Sequence, residues 1–172
     1  MKWRFVFVIA LASFFLIQAG ARVFSAEQKT TSTSSERKPT RPSATDKCAV
    51  CGMFVAKYSG WIAEVICKDG SVVFFDGPKD LFTYYFNVKK YTSQKSREDL
   101  AALYVTSYYT GTFINATAAF YVLGSDISGP MGWELIPFNS EAEAREFMKD
   151  HKGEKIFTFK QLTPRLFDAN QQ

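Results

Sequence analysis

The sequence predicts an α+β domain made of two similar β-β-α-β units. Three observations predict it. An apolar, β-branched run closes on Asp69-Gly70 and is answered by a second apolar run, the pattern of a β-hairpin. Each half then carries one amphipathic segment of helical period with its own start signal. Placing Phe75-Asp76 over Phe138-Asn139 brings those two starts into register, so the same order of elements occurs twice.

Taken in order, the first element is a leader. Lys2 and Arg4 precede a run from Phe5 to Ile17 that is apolar but for Ser13, and small residues follow at Ala19-Gly20-Ala21. This is the pattern of a secretory signal peptide over residues 1–21, with cleavage after Ala21 fitting best. The apolar run is shorter than the ~20 residues that span a bilayer. Residues 22–46 follow as a tether: from Glu27 to Asp46 there are many Ser and Thr, Pro39, Pro42 and no aromatic residue. Such a composition offers too little apolar surface to offset the entropy of ordering it.

Residues 47–166 then form one domain, with repeats at about 47–106 and 112–162, long enough for a core. In the first repeat Trp61 to Cys67 is a strand, Ser71 to Phe75 its hairpin partner, and Asp76 caps a helix that tolerates Pro78 in its first turn. Leu81, Phe82 and Tyr85 supply the helical stripe, and Leu103 to Thr106 the third strand. The polar stretch Lys89 to Asp99 is a connecting loop, with a short helical turn from Arg97. In the second repeat Ala118 to Val122 and Trp133 to Phe138 are strands, and Ser140 with Glu143 three residues on is a capping box. The helix runs through Ala144, Phe147 and Met148 to the stop at Lys152-Gly153, and Ile156 to Phe159 is the last strand.

Charge excludes one class of partner. The formal net charge is +4, and Lys2 and Arg4 of the leader supply two of those charges. What remains gives no concentrated basic patch, so neither nucleic acid nor an anionic membrane is indicated.

The chemistry concentrates at sulfur. Cys48-Ala49-Val50-Cys51-Gly52-Met53 puts two thiols and a thioether at the entrance to the domain, with a glycine that permits a tight reversal. Thiolate and thioether sulfur suit Cu(I), whereas zinc takes four Cys or His ligands and has little use for Met. The same pair could instead be a disulfide in an oxidising compartment. A thioredoxin-type redox motif needs a helix N-terminus after a strand, and here a tail precedes it. Met131 stands in the turn Ser128-Gly129-Pro130-Met131-Gly132, either folded back as a core filler or held as a further sulfur ligand. Cys67 alternates with Val65 and Ala63 and reads as a core residue. His151 lies at a helix end beside Lys149 and Lys152, where its charge suits the dipole.

These residues resemble the NosL family, the nitrous oxide reductase accessory lipoproteins. The resemblance is carried by Cys48 to Met53, Phe74-Phe75-Asp76, Tyr104-Val105-Thr106, Ala118 to Ser125, Pro130-Met131-Gly132 and Pro137-Phe138, in order from Cys48 to about Leu162. It implies a fold related to part of the organomercurial lyases. It also implies a periplasmic Cu(I) carrier that takes copper from a donor or transporter and delivers it to an apo-metalloenzyme, nitrous oxide reductase. By position the family's metal-handling sulfurs fall on Cys48, Cys51, Met53 and Met131. The sequence departs from the family in lacking the lipid-anchor cysteine, and in placing Trp133 where a nitrogen ligand would stand, so that its ring would cover the ion by a cation–π contact. Two other classes compete: an exported thiol–disulfide or organomercurial-lyase-like enzyme, the latter drawing on Cys67 and Asp69, and a disulfide-stapled scaffold without metal.

Overall fold

A computed structural model of the chain describes residues 37–168. The leader, and the tether up to residue 36, lie outside the described residues. Among those residues no helix is long and apolar enough to cross a membrane.

The first repeat opens with β1 (Ala63–Cys67), β2 (Val72–Phe75) and α1 (Pro78–Phe86), continues through the short α2 (Val88–Tyr91) and ends in β3 (Leu100–Thr106). A three-residue strand, β4 (Phe113–Asn115), links it to the second repeat: β5 (Phe120–Leu123), β6 (Ile136–Phe138), α3 (Glu141–Asp150) and β7 (Lys155–Thr158). The first sheet has the order β2-β1-β3-β4 and the second β6-β5-β7, with every pairing antiparallel. In both repeats the first strand is central and the other two flank it, so the doubled topology read from the sequence is present in the fold. The 3₁₀ turn at Arg97–Asp99 lies where the sequence placed a helical turn. The strand β4 was not anticipated, because three residues at a sheet edge leave no alternation to read.

Every residue of β1 is buried, Glu64 included. A strand covered on both faces reads as an unbroken apolar run rather than an alternating one. Glu64 is accommodated by the segment before the domain: the Thr40 N–H donates to its two carboxylate oxygens at 3.0 and 3.1 Å. Burial raises the Glu64 pKa above the usual carboxylate range. Arg37 is held too, its carbonyl accepting the Tyr104 hydroxyl at 2.6 Å and its guanidinium donating to Lys68 O at 2.9 Å. Composition alone places residues 37–46 in the tether. Arg37 and Thr40 are nevertheless tied to the sheet by hydrogen bonds, Thr40 to a buried acid, that apolar content does not register.

One core serves both repeats. Phe75, Leu81 and Phe82 of the first pack in the same cluster as Tyr121, Leu135 and Phe157 of the second, with Cys48 and Cys67 included. Phe82 meets Tyr121 edge-on with centroids 5.2 Å apart, a geometry aromatic quadrupoles favour. A smaller cluster under α3 holds Val122, Ile136, Phe138, Ala144 and Phe147.

Candidate metal centre

The two cysteines lie on a tight hairpin just before β1. The Cys48 N–H donates to Met53 O at 2.8 Å and the Gly52 N–H to Cys48 O at 3.0 Å, while Lys47 and Phe54 form an antiparallel bridge. Gly52 has φ +80, the left-handed region that side chains resist, so the reversal needs its glycine. The Ala49 N–H donates to Phe74 O at 3.2 Å, which docks the hairpin on β2. The chain leaving β2 passes through Asp76 into α1, so the thiols face the start of that helix.

Four donor groups meet there. Cys48 Sγ donates to Asp80 Oδ2 at 3.2 Å, and Cys51 Sγ to Asp76 Oδ2 at 3.3 Å. One ligand atom from each of Cys48, Cys51, Asp76 and Asp80 lies within 4.8 Å of all the others. Cys48, Asp76 and Asp80 are buried, and Cys51 is half-buried at the entrance. Both cysteines are free thiols, with no disulfide between them. Burial holds the Cys48 thiol far above its ordinary range against the pull of nearby backbone hydrogen bonds, with the Asp80 charge adding to the rise. The Cys51 thiol is pushed up to about 11 by burial, with the Asp76 charge contributing. Burial also raises Asp80, with the neighbouring Asp76 charge adding to it. The metal-free centre therefore retains its thiol protons, and a cation that entered would have to displace them.

The sequence marks Asp76 as the cap of α1. The N-cap is instead Gly77, with no side-chain capping bond, and the Asp76 carboxylate is turned to Cys51. The repeat shows the substitution. In the second repeat the matching positions Asn139, Ser140 and Glu143 cap α3 locally: Ser140 Oγ accepts the Glu143 N–H at 3.2 Å, and Glu143 accepts the Asn139 N–H at 2.9 Å. In the first repeat the same positions are Asp76, Gly77 and Asp80, and both acids serve the thiols. Asp76 was missed as a site residue because a helix cap sufficiently explains it, and Asp80 because an acid in the first turn of a helix is sufficiently explained by the helix dipole. Their i, i+4 spacing at the start of the first α-helix after the C-x-x-C, together with the departure from the second repeat, was the available signal.

Met53 is half-buried on the cysteine hairpin and gives its carbonyl to Cys48. Met131 is 48 % exposed. It sits in the turn that Gly129 and Gly132 close by reciprocal backbone bonds of 2.7 and 3.2 Å. That turn is fastened to the start of α1: Lys79 Nζ donates to Met131 O at 3.0 Å, and Glu134 accepts the Lys79 N–H. Trp133 was expected to cover an ion, but the cation over its ring is Lys79, with Nζ 5.0 Å from the centroid. Cys67 is buried in the main core. Asp69 is paired with Lys95 on the surface. His151 follows α3, with Nδ1 3.2 Å from Asp126 and its ring stacked on Phe147 at 4.4 Å.

The NosL family model matches residues 39–167, the whole span from the docked N-terminal segment to the end of the fold. The chain belongs to the NosL family. The resemblance carried by Cys48 to Met53 and the later motifs therefore extends over the domain. The copper-binding lipoprotein NosL of Stutzerimonas stutzeri is 26% identical over 122 residues, which is 70% of this chain and 64% of that protein. The chain thus spans a little under two thirds of that relative's length. Among solved structures, the copper chaperone NosL from Shewanella denitrificans superposes with a TM-score of 0.64 at 24% identity, covering 74% of this chain and 97% of the other. That likeness establishes the NosL fold, two similar units each with an antiparallel sheet and a helix.

Proposed function

We propose that this chain is an exported Cu(I) carrier that binds and releases copper without turnover. Cys48 and Cys51 supply the thiolates, Met53 and Met131 the thioethers, and the recipient is an apo-metalloenzyme, nitrous oxide reductase. The observation that carries the reading is the convergence of two free cysteines on one small site, one buried and one reachable from solvent. Two thiolates satisfy a monovalent soft ion that is content with two or three ligands, and exposed or half-exposed methionines can add and withdraw sulfur during transfer. The relatives named for copper binding and copper chaperoning, and a leader with the pattern of a signal peptide, support a carrier at work in the periplasm.

The competing enzyme readings find less support. A catalytic or redox cysteine is activated by a lowered pKa, whereas both of these thiols are raised. The lyase reading drew on Cys67 and Asp69, but the first is buried and the second is held by Lys95 and Ser71.

A Cu(I) competition titration on reduced protein tests the site. Wild type is expected to bind one Cu(I) far more tightly than Zn(II). Cys48→Ser and Cys51→Ser should each remove most of the affinity. Met53→Leu and Met131→Leu should weaken binding without unfolding, since Leu keeps a similar volume. Cys67→Ser should lower the melting temperature and leave affinity nearly intact. Wild-type affinity in both Cys48→Ser and Cys51→Ser would remove copper from this centre. Transfer is tested separately, by mixing the Cu(I)-loaded protein with copper-depleted nitrous oxide reductase and measuring the copper each retains after separation.

A further inference from the structure

The two repeats differ in how their helices begin. α3 is capped from within its own repeat by Ser140 and Glu143. α1 has no such device, because its N-cap is Gly77 and its third residue, Asp80, is turned to Cys48. Pro78 has no N–H, so the first donor of the helix left without an intrahelical partner is that of Lys79. It is met by Glu134 Oε1, from the loop of the other repeat. The same oxygen accepts the Leu135 N–H at 2.9 Å.

The surroundings are shaped around that side chain. Glu134 is only 4% exposed. Gly77 has φ −170, extended backbone that any residue adopts, so its glycine answers a need for space. A Cβ there would collide with Glu134 Oε2, and one on Gly129 would stand 3.0 Å from Glu134 Cβ. Pinned by two hydrogen bonds, the carboxyl group cannot swing aside. Lys79 fastens the loop a second time, through Nζ to Met131 O. One turn of α1, with Asp76 just before it and Asp80 within it, therefore grips the Met131 turn at both its backbone and its following acid.

We propose that Glu134 is a positioning residue for copper capture: it caps α1 from the opposite repeat and thereby fixes the Met131 turn at the end of α1 that faces Cys48 and Cys51. The inference rests on the Cu(I) reading above, and Glu134 acts through Met131 without touching the ion. Groups that orient a metal ligand from outside the coordination sphere commonly cost roughly 10–100-fold in affinity when removed.

The test is a Cu(I) competition titration on the reduced full chain, with melting curves recorded beside it. Glu134→Ala should weaken Cu(I) binding by roughly tenfold, and Glu134→Gln, which keeps the accepting Oε1, should restore most of it. In a Met131→Leu background Glu134→Ala should cost no further affinity. Should Glu134→Ala fail to fold, Gly129→Ala presses on the same side chain and is expected to give the same pattern. The proposal is overturned if Glu134→Ala lowers only the melting temperature. It is equally overturned if the affinity loss persists in the Met131→Leu background, or if Met131→Leu alone binds as wild type. Cys48→Ser and Cys51→Ser, titrated alongside, report separately on whether the two-cysteine centre binds copper at all.

Discussion

Cys51 is the half-buried member of the cysteine pair, and its protonation decides how the metal-free protein behaves. With its thiol pushed up to about 11, mainly by burial, little thiolate exists near neutral pH. Iodoacetamide should therefore modify Cys51 slowly at pH 8, at roughly a hundredth of the rate of a thiol with an ordinary pKa. The rate should climb until about pH 11, and mass spectrometry of the labelled peptide reads it directly. Rapid labelling that already plateaus near pH 7 would mark an activated nucleophile and favour the redox reading instead. The cysteines themselves were legible in the sequence, because C-x-x-C followed by Gly-Met is a local pattern. Asp76 and Asp80 were not, because their role depends on where α1 begins, and Gly77 moved that start by one residue.

At the scale of elements, the two helices show one scaffold used in two ways. Ser140 caps α3 by accepting the Glu143 N–H, so Ser140→Ala should destabilise the protein by about 1 kcal/mol, measured by denaturant melts. The substitution should leave metal affinity unchanged, since α3 lies over the smaller cluster of Val122, Ile136 and Phe138. The central strands explain why most elements could be anticipated. β1 is buried along its whole length and β5 packs between β6 and β7, so both are long enough in apolar content to read without neighbours. β4 rests on three pairings at a sheet edge, and the docking of Arg37 and Thr40 on hydrogen bonds with Tyr104, Lys68 and Glu64, which no local periodicity reveals.

For the whole molecule, the joint between the repeats carries a pH dependence. Burial pushes Glu134 up to about 8, while an unfolded glutamic acid titrates near 4.3. The folded chain thus holds a proton that the unfolded chain has already released between those values. Stability from this group is full below the unfolded pKa, declines as pH rises, and is lost once pH passes about 8. The melting temperature should fall by roughly several degrees between pH 5 and pH 8, and Glu134→Gln should flatten that part of the profile. Calorimetry across the range checks it, and a wild-type slope identical to that of Glu134→Gln would assign the dependence to other groups, Glu64 first.

By itself the sequence determined the α+β class, the doubled order of strands and helix, the hairpin at Asp69-Gly70, the Ser140 cap and the sulfur-rich C-x-x-C-G-M entrance. Each of these is written in residues close together along the chain, where period, turn chemistry and capping act. Only the tertiary structure decided that two aspartates face the thiols, that Glu134 caps a helix of the other repeat, and that Arg37 to Thr40 lie against the first sheet. The physical reason is range. A carboxylate meets a thiol or an orphan N–H through space, across separations in the chain that no local pattern encodes, once the shared core around Phe82 and Tyr121 has brought the repeats together.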